Sequence, residues 1–278
     1  MMNKAIKKIG KKSSRYLLLF VLSILWIIPI ATIVITSTKS RADFFSGISL
    51  FELPETIYWG NFIEAFQSDL LMYMGNSFYI SIIKVPLGIL VSAMAAFALT
   101  RLEIKGKKLT FIYFLIGMMV PVQIILVPIN TFFSNHNLID SYMGLIYVYI
   151  ALGLPFAILV LRGFFISIPK EIDEAAYIDG CSKLRLFFSI ILPLAKPALA
   201  SLFIIDFLGT WNEFLIANIL IRNNSLRPAT AGLMAFMGEH GTDFGLLSAG
   251  VLFNVIPLLI VYIVFQRYFV EGVAGAVK

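Results

Sequence analysis

Six long, almost uncharged apolar runs constrain the fold of this chain more than any other feature of its sequence. They lie at about 16–36, 73–99, 109–130, 142–161, 198–221 and 246–269. A helix that crosses about 30 Å of hydrocarbon needs roughly 20 mostly apolar residues, whereas a barrel strand needs only about 10. Backbone polar groups in lipid must be paired within the spanning structure. The runs therefore predict an all-α membrane protein with a bundle of six transmembrane helices.

The composition excludes a water-soluble fold. Of the 278 residues, 59% are hydrophobic and 14% are charged, against about 45–50% and about 25% in soluble domains. A soluble protein of this size exposes a large share of its surface to water, so it could not bury the apolar side chains of this composition. The single cysteine, Cys181, excludes an intrachain disulfide. No repeat or low-complexity linker divides the chain, and we expect one transmembrane domain over 1–278.

Basic residues are distributed unequally among the connections between the runs. The amino-terminal segment, the 100–108 and 162–197 connections and the carboxyl-terminal tail carry 17 Lys and Arg, and the other connections carry four. Because cytoplasmic loops are enriched in Lys and Arg, this bias predicts that both termini are cytoplasmic. The net charge of +6 is then an orientation signal. The first run follows basic residues as a signal peptide does, but its length and the lack of a small-x-small site favour a retained anchor.

Motifs of common catalytic and nucleotide-binding sites do not occur in the sequence. No Gly-Lys pair is followed by Ser or Thr, and there is no G-x-G-x-x-G. His136 and His240 have no second His or Cys at ligand spacing, and no nucleophile is paired with a base. We therefore expect no catalytic residue, no metal site, no nucleic-acid partner and no nucleotide hydrolysis by this chain.

The connection at 168–193 has the most informative pattern. Pro169 suits the start of a helix, and Gly180 suits its left-handed end. Acidic side chains favour the positive N-terminal end of a helix, and the expected first turn contains Glu171, Asp173 and Glu174. A second apolar run, 184–191, is expected to stop at Leu192-Pro193 and again at Lys196-Pro197. The pattern predicts a helix–turn–helix at the cytoplasmic membrane edge, although a simple loop that returns the chain to the membrane is an equal alternative from these residues alone.

Part of this connection is similar to a known motif. Seven of its residues resemble the EAA motif of ABC-importer permeases, namely Glu174, Ala175, Ala176, Asp179, Gly180, Leu192 and Pro193. Weaker landmarks of the same family are Asn76-Ser77, Leu154-Pro155-Phe156 and the stretch from Trp211 to Phe214. The 272–278 end is similar to the tail of the MalG-type subunit of carbohydrate importers. The resemblance covers nearly the whole chain, and one departure is Cys181, where the family more often has Ala.

The resemblance implies that the 171–193 segment is a coupling helix seated in a groove of a cytoplasmic ATPase subunit. Glu174 would meet that subunit by charge and hydrogen bonding, Gly180 would permit the turn, and the small pair Ala175-Ala176 is expected to keep one side of the helix thin. The tail, Gly275, Ala276, Val277 and Lys278, would reach the ATPase interface. ATP and Mg would then be bound by the ATPase and not by this chain, which is a transport subunit and not an enzyme.

The resemblance also implies a set of partners in a bacterial cell membrane. They are a second permease that forms a heterodimer with this chain, two copies of the ATPase, and an extracytoplasmic sugar-binding protein. The substrate class is a di- or oligosaccharide. The outer connections 37–72 and 222–245 would face the binding protein, and the lipid bilayer would surround the spans.

Polar residues within the spans are candidates for a substrate pathway, because such residues usually face the bundle interior or water. The candidates nearest to the family landmarks are Asn76, Trp211, Asn212 and Glu213. An aromatic face beside hydrogen-bonding side chains suits a sugar. The alternative is that these residues bond helices together or end spans. Lys84 also lies within a span, with Asp206 and Glu213 as candidate partners.

Other functions remain as alternatives to a sugar importer. One is the permease of an ABC importer for a non-sugar solute, against which the tail argues. Another is a stand-alone ion-coupled transporter, which predicts inverted repeats and intramembrane relays. A structural scaffold without transport would leave the polar span residues unexplained. A stoichiometric ATPase partner would distinguish the ABC permease from the last two.

Overall fold

A computed structural model describes residues 2–47, 49, 51–238 and 241–276, with side chains described over 16–47, 49, 51–237 and 242–267. Its α-helices are α1 (Met2–Ser37), α2 (Arg41–Phe45), α3 (Gly60–Gln67), α4 (Leu70–Arg101), α5 (Lys107–Gly117), α6 (Val122–Asn135), α7 (Tyr142–Ser167), α8 (Glu171–Ile178), α9 (Lys183–Leu186), α10 (Leu192–Leu194), α11 (Lys196–Trp211), α12 (Leu215–Leu220), α13 (Ala229–Gly232) and α14 (Phe244–Ala276). A π-helix covers Phe187–Ile191, and 3-10 turns cover Asn224–Leu226 and Leu233–Phe236. Over these ranges the all-α class is confirmed, apart from one antiparallel ladder between β1 (Met237–Gly238) and β2 (Gly241–Thr242).

Four helical segments of the described chain are long and apolar enough to cross a membrane. They are Tyr16–Ser37, Leu70–Arg101, Tyr142–Ser167 and Phe244–Arg267. Two more segments of this kind are helix pairs bent at a short break, Lys107–Gly117 with Val122–Asn135 and Lys183–Leu194 with Lys196–Trp211. The number of candidate spans is therefore four, or six if each bent pair is one span.

The predicted continuous helix over 109–130 is in fact two helices. α5 ends at Gly117, α6 begins at Val122, and the two helices are bent by 95°. Pro121 has no N–H and disfavours a helical conformation for the residue before it. Its own ψ of 131° is extended. The apolar run continues through the break, so hydropathy alone does not reveal it.

The predicted helix over 198–221 is also interrupted. α11 ends at Trp211 and α12 begins at Leu215. Between them, the Glu213 carboxylate accepts hydrogen bonds from the backbone N–H groups of Ile216 at 2.8 Å and Ala217 at 3.0 Å. The first N–H groups of a helix have no partner inside it, so this side chain supplies the acceptors that a new helix start requires.

The chain divides into two compact units, and the first consists of residues 1–70 and 233–253. In this unit the buried Asn61 amide donates to the carbonyls of Ser37 at 2.9 Å and Lys39 at 2.8 Å. Arg41 Nε lies 2.5 Å from Asp243 Oδ2, just before α14. The hydrogen bond and charge of Asp243 raise the pKa of Arg41. These contacts hold the loop after α1 against the start of α14.

The second unit consists of residues 71–232 and 254–278 and has two apolar clusters. One includes residues of α4, α7, α11 and the 171–193 segment, and Phe97 and Phe187 meet there with ring centroids 5.1 Å apart. The other packs α4 and α7 against α12 around buried Leu145, Ile146 and Leu220. Burial of these side chains fixes how the segment that carries the sequence motif is attached to the long helices.

Candidate functional site

α8 is followed by a tight left-handed turn. Gly180 has φ +76°, as expected from the sequence. Its N–H donates to the Tyr177 carbonyl at 3.0 Å, and the Cys181 N–H donates to the Ala176 carbonyl at 2.9 Å. This pair of bonds is a Schellman motif, which satisfies the last carbonyls of a helix and favours glycine at the left-handed position. The predicted helix and turn are therefore present in the 171–180 segment.

The second part of the segment differs from the prediction that Pro193 ends it. Ser182 accepts a hydrogen bond from the Arg185 N–H at 3.3 Å and begins α9. The chain then widens into the π-helix, where the Leu192 N–H donates to the Phe187 carbonyl. It stays helical to Leu194. A proline ring clashes with the carbonyl four residues before it in an α-helix, and a π-turn changes that register and so accommodates the ring.

The two alanines of the motif point to different environments. Ala176 is 6% exposed and belongs to the apolar cluster of the second unit, whereas Ala175 is exposed. Successive residues lie about 100° apart around a helix axis, so Ala176 turns inward while Ala175 stays on the outer side. Only Ala175 therefore keeps an outer side of α8 thin, and the expectation that both alanines do so is wrong.

Apolar side chains are exposed beside Glu174. Ile178 is 87% exposed on α8, and Leu184 is 67% exposed on α9. Glu174 and Ala175 are also exposed, one turn before Ile178. We call Glu174, Ala175, Ile178 and Leu184 the exposed face of this segment. Large apolar side chains concentrated next to a carboxylate are typical of a protein contact surface.

Arg101, the last residue of α4, forms an ion pair with α8. Its Nε lies 3.0 Å from Asp173 Oδ2, and the two side chains are 4% and 11% exposed. Its Nη2 donates to the carbonyl of Ile168, directly after α7, at 2.8 Å. Arg101 Nε and Asp173 Oδ1 have no hydrogen-bond partner among the described atoms, so the Nε contact is ionic without hydrogen-bond alignment. Burial raises the pKa of Asp173, although the charges of Arg101 and Lys170 lower it.

Asn76 is bound to the connection before α13. Its side-chain amide donates to the carbonyls of Ser225 and Arg227, both at 2.9 Å. Its side-chain oxygen accepts a hydrogen bond from the Tyr142 hydroxyl at 2.7 Å. The neighbouring Ser77 accepts from the Ala229 N–H at 2.8 Å. Asn76 thus joins α4, α7 and the connection before α13.

The remaining pathway candidates fall into two groups. Trp211 is 1% exposed and donates from Nε1 to Asn254 Oδ1 at 2.8 Å. Glu213 accepts a hydrogen bond from the Tyr149 hydroxyl at 2.6 Å in addition to capping α12. Asn212, by contrast, is exposed, and its amide donates to the Leu208 carbonyl of α11, one turn earlier. Asn212 is therefore the one residue of these four candidates whose side chain is exposed.

Lys84 pairs with Asp206 and not with Glu213. The Lys84 side chain is 4% exposed and that of Asp206 is 23% exposed. A Cβ atom at Gly153 would lie 3.4 Å from Lys84 Nζ and 3.5 Å from Asp206 Oδ1. The pair thus connects α4 to α11, and a glycine on α7 leaves the space that it occupies.

Some sequence candidates lie beyond the described residues. His240, Val277 and Lys278 are outside them, and only the backbone of Gly275 and Ala276 is described. The ring of His136 stacks on Phe132 with centroids 4.2 Å apart, and its Nδ1 lies 2.7 Å from the Phe132 carbonyl. Across the described chain, no group of three or more His, Cys, Asp and Glu is placed to hold a metal ion.

Comparison with known proteins gives one family match. Residues 85–274 match the model of the binding-protein-dependent transport system inner membrane component family. The probable ABC transporter permease protein YurM of Bacillus subtilis is 36% identical over 264 residues, which cover 95% of this chain and 87% of that protein. The arabinooligosaccharides transport system permease protein AraQ of Halalkalibacterium halodurans is 33% identical, covering 91% of each.

A third relative and a solved structure agree with this match. The diacetylchitobiose uptake system permease protein NgcG of Streptomyces coelicolor is 34% identical, covering 94% of this chain and 85% of that protein. A chain in the crystal structure of a bacterial ABC transporter that imports the acidic polysaccharide alginate superposes with a TM-score of 0.78. It is 24% identical and covers 92% of this chain and 95% of its own length, so it supports the fold alone.

Proposed function

The chain belongs to the family of binding-protein-dependent transport system inner membrane components, and on that premise we propose that it is the permease subunit of an ATP-driven importer for a di- or oligosaccharide. Relatives named for arabinooligosaccharide and diacetylchitobiose transport support the substrate class. So does the probable starch degradation products permease AmyC of Thermoanaerobacterium thermosulfurigenes, which is 30% identical over 95% of this chain. The tail similarity to MalG-type subunits favours a sugar over another solute.

The proposed arrangement in the membrane has six spans and two cytoplasmic termini. The bent pair α5–α6 counts as one span, and α11 with α12 supplies another over 198–221, which brings the proposed number to six and leaves the 168–193 segment, with α9, in the cytoplasm. The asymmetry of 17 against four basic residues supports the orientation. Side chains over 16–30 are all exposed, including Trp26 at 79%. Such a helix suits contact with lipid or with a second permease in the cell membrane.

The exposed face of the coupling segment carries the proposal for ATP-driven transport. Glu174 and Ala175 lie on it, Ile178 and Leu184 supply the apolar area, and the Schellman turn at Gly180 holds the two helices in order. We propose that it docks on a separate ATPase subunit that binds ATP and Mg. Two such subunits, a second permease and a binding protein would complete the importer. The ATPase motion would move the docked helices as rigid bodies and switch the access side of the bundle.

We propose different roles for the other predicted residues. Asn212 lines the substrate pathway, because its side chain is exposed. Asn76, Trp211 and Glu213 act on the pathway indirectly, by holding its wall through the hydrogen bonds described above. The tail residues Gly275, Ala276, Val277 and Lys278 are proposed at the ATPase interface on the strength of the family resemblance.

The test of the docking proposal is copurification of the ATPase with the complex. Ile178→Arg and Leu184→Arg put a charge on the exposed face, and we expect each to reduce the ATPase retained on the tagged permease. The matched control is Leu53→Arg, which changes a side chain that is 72% exposed in the 37–72 connection. Wild-type retention in both face variants would refute the docking proposal. Equal loss in the control would show that an added arginine harms the complex wherever it is placed.

A further inference from the structure

Arg101 binds three elements at what the charge distribution predicts to be the cytoplasmic end of the helices. It ends α4, its Nη2 donates to the Ile168 carbonyl at 2.8 Å, and its Nε lies 3.0 Å from Asp173 on α8. Neither Arg101 nor Asp173 belongs to the residues that resemble the EAA motif. The exposed face of α8 points outward, and Asp173 is buried, so this contact lies on the opposite, inward side of the helix.

The pair is poorly explained as a device for stability. A buried ion pair must recover the cost of removing two charges from water, and it does so only with good geometry and with every polar atom satisfied. Here Arg101 Nε has no aligned acceptor and Asp173 Oδ1 has no partner among the described atoms. Apolar side chains of similar size would serve a purely structural role as well. An ion pair in this environment is better explained by a need to hold α8 at a fixed position relative to α4.

The contacts around the pair support a mechanical role. One turn before Arg101, Phe97 of α4 meets Phe187 of the π-helix at 5.1 Å between ring centroids. α4 therefore holds both halves of the coupling segment, α8 by charge and the π-helix by aromatic packing. α4 is 32 residues long and also carries Lys84, which pairs with α11.

We infer that Arg101 is a positioning residue that attaches the coupling helix to α4 and α7, so that displacement of α8 is passed to the spanning helices instead of being absorbed in the connection. The inference rests on the proposed function. It predicts that loss of the attachment uncouples ATP hydrolysis from transport while the ATPase stays bound, because the exposed face of α8 is untouched. Coupling between sites is typically worth a factor of about 5–150.

The experiment uses the whole importer reconstituted in liposomes with its binding protein. The assay measures sugar uptake and ATP hydrolysis on the same preparation, and their ratio gives the ATP hydrolysed per sugar imported. Arg101→Met and Asp173→Asn are each expected to raise that ratio about tenfold with normal ATPase retention. The matched control is Lys105→Met, an exposed cation in the following loop, which should leave the ratio at the wild-type value.

Each result of this experiment decides the matter. A purely structural Arg101 would lower assembly, hydrolysis and uptake in parallel, and an unchanged ratio in both variants would overturn the inference. If Arg101→Met does not accumulate, Arg101→Lys is measured instead. Lysine keeps the charge that faces Asp173, but its single ammonium group cannot also reach the Ile168 carbonyl. A wild-type ratio in Arg101→Lys would refute the attachment of α7. Absence of ATP-driven sugar uptake by the wild-type complex would instead refute the proposed function.

Discussion

Lys84→Met should strongly destabilise the protein, because it leaves Asp206 without its partner inside an apolar bundle. The Lys84 side chain is 4% exposed and that of Asp206 is 23% exposed, on α4 and α11 respectively. Removal of one member of a buried ion pair costs about 3–5 kcal/mol. The partial exposure of Asp206 favours the lower end, so we expect about 3 kcal/mol, which is a population change of about a hundredfold.

Replacement of both partners distinguishes the cost of an unpaired charge from the cost of changed packing around the pair. Lys84→Met with Asp206→Leu removes both charges, and exchange of a buried pair for apolar residues is often neutral or stabilising. The double variant should therefore lie within about 1 kcal/mol of wild type. Asp206→Leu alone leaves the buried Lys84 unpaired and should also cost about 3 kcal/mol. The coupling energy is the cost of the double variant minus the costs of both single variants, so we expect its magnitude to exceed about 3 kcal/mol.

The assay is unfolding of the assembled importer in mixed micelles, followed by helix content. Gly153→Val tests the same pair without removal of a charge, since a Cβ there already lies 3.4 Å from Lys84 Nζ. Gly163→Val is its control on the same helix, because a Cβ at Gly163 has nothing within 4 Å. Additive single and double variants, with no coupling energy, would refute the reasoning that the two charges stabilise each other.

Three further predictions concern other parts of the chain. Gly180→Val should abolish sugar uptake, since an L-residue at φ +76° costs about 1–2 kcal/mol and displaces the exposed face; wild-type uptake and ATPase retention would contradict this. Gly245→Ala should lower the thermal midpoint, since its Cβ would lie 2.5 Å from Asn61 Nδ2 and 2.6 Å from the Lys39 carbonyl, and Gly75→Ala, with open space around it, should not. Burial raises the pKa of Asp173 above its ordinary value of 3.8, so the native state binds the carboxyl proton more tightly than the unfolded chain does. The contribution of this proton to stability therefore grows as the pH falls through the raised pKa and is lost as the pH rises through it. The measurement is the thermal midpoint between about pH 4 and 7. As the pH is lowered over this range, the midpoint of wild type should rise relative to that of Asp173→Asn. Identical profiles for the two proteins would count against a raised pKa.

Features that depend on neighbouring residues in the chain were predictable from the sequence. The apolar run at 16–36 becomes part of α1, and the run at 142–161 lies within α7. The turn at Gly180 was also predictable, because a left-handed helix end is a local backbone requirement. Local signals were misread where two of them competed. The break at Pro121 was hidden by the apolar residues on both sides of it, and the helical run was expected to stop at Pro193 although a π-turn accommodates that ring.

Features that depend on which helices meet were decided by the tertiary structure. Two carboxylates were available to Lys84, and packing of α4 on α11 selected Asp206 and left Glu213 to cap α12. Asn76 and Trp211 suited a sugar pathway by residue type. In the structure, however, the Asn76 amide donates to the carbonyls before α13 and the Trp211 indole donates to Asn254, so both side chains form hydrogen bonds within the protein. Arg101 counted in the sequence only as one more cytoplasmic cation. Its only sequence signal was its position as the first charge after an apolar run.

The sequence by itself thus determined that the chain is a helical membrane protein of the ABC-permease type, with a glycine-ended helix at 171–180. Hydropathy, charge bias and motif spacing are properties of the chain in one dimension, and they do not require knowledge of packing. The tertiary structure decided which face of that helix is free and which is attached to α4, because burial of Ala176 and Asp173 and exposure of Ile178 follow from contacts between residues far apart in the chain.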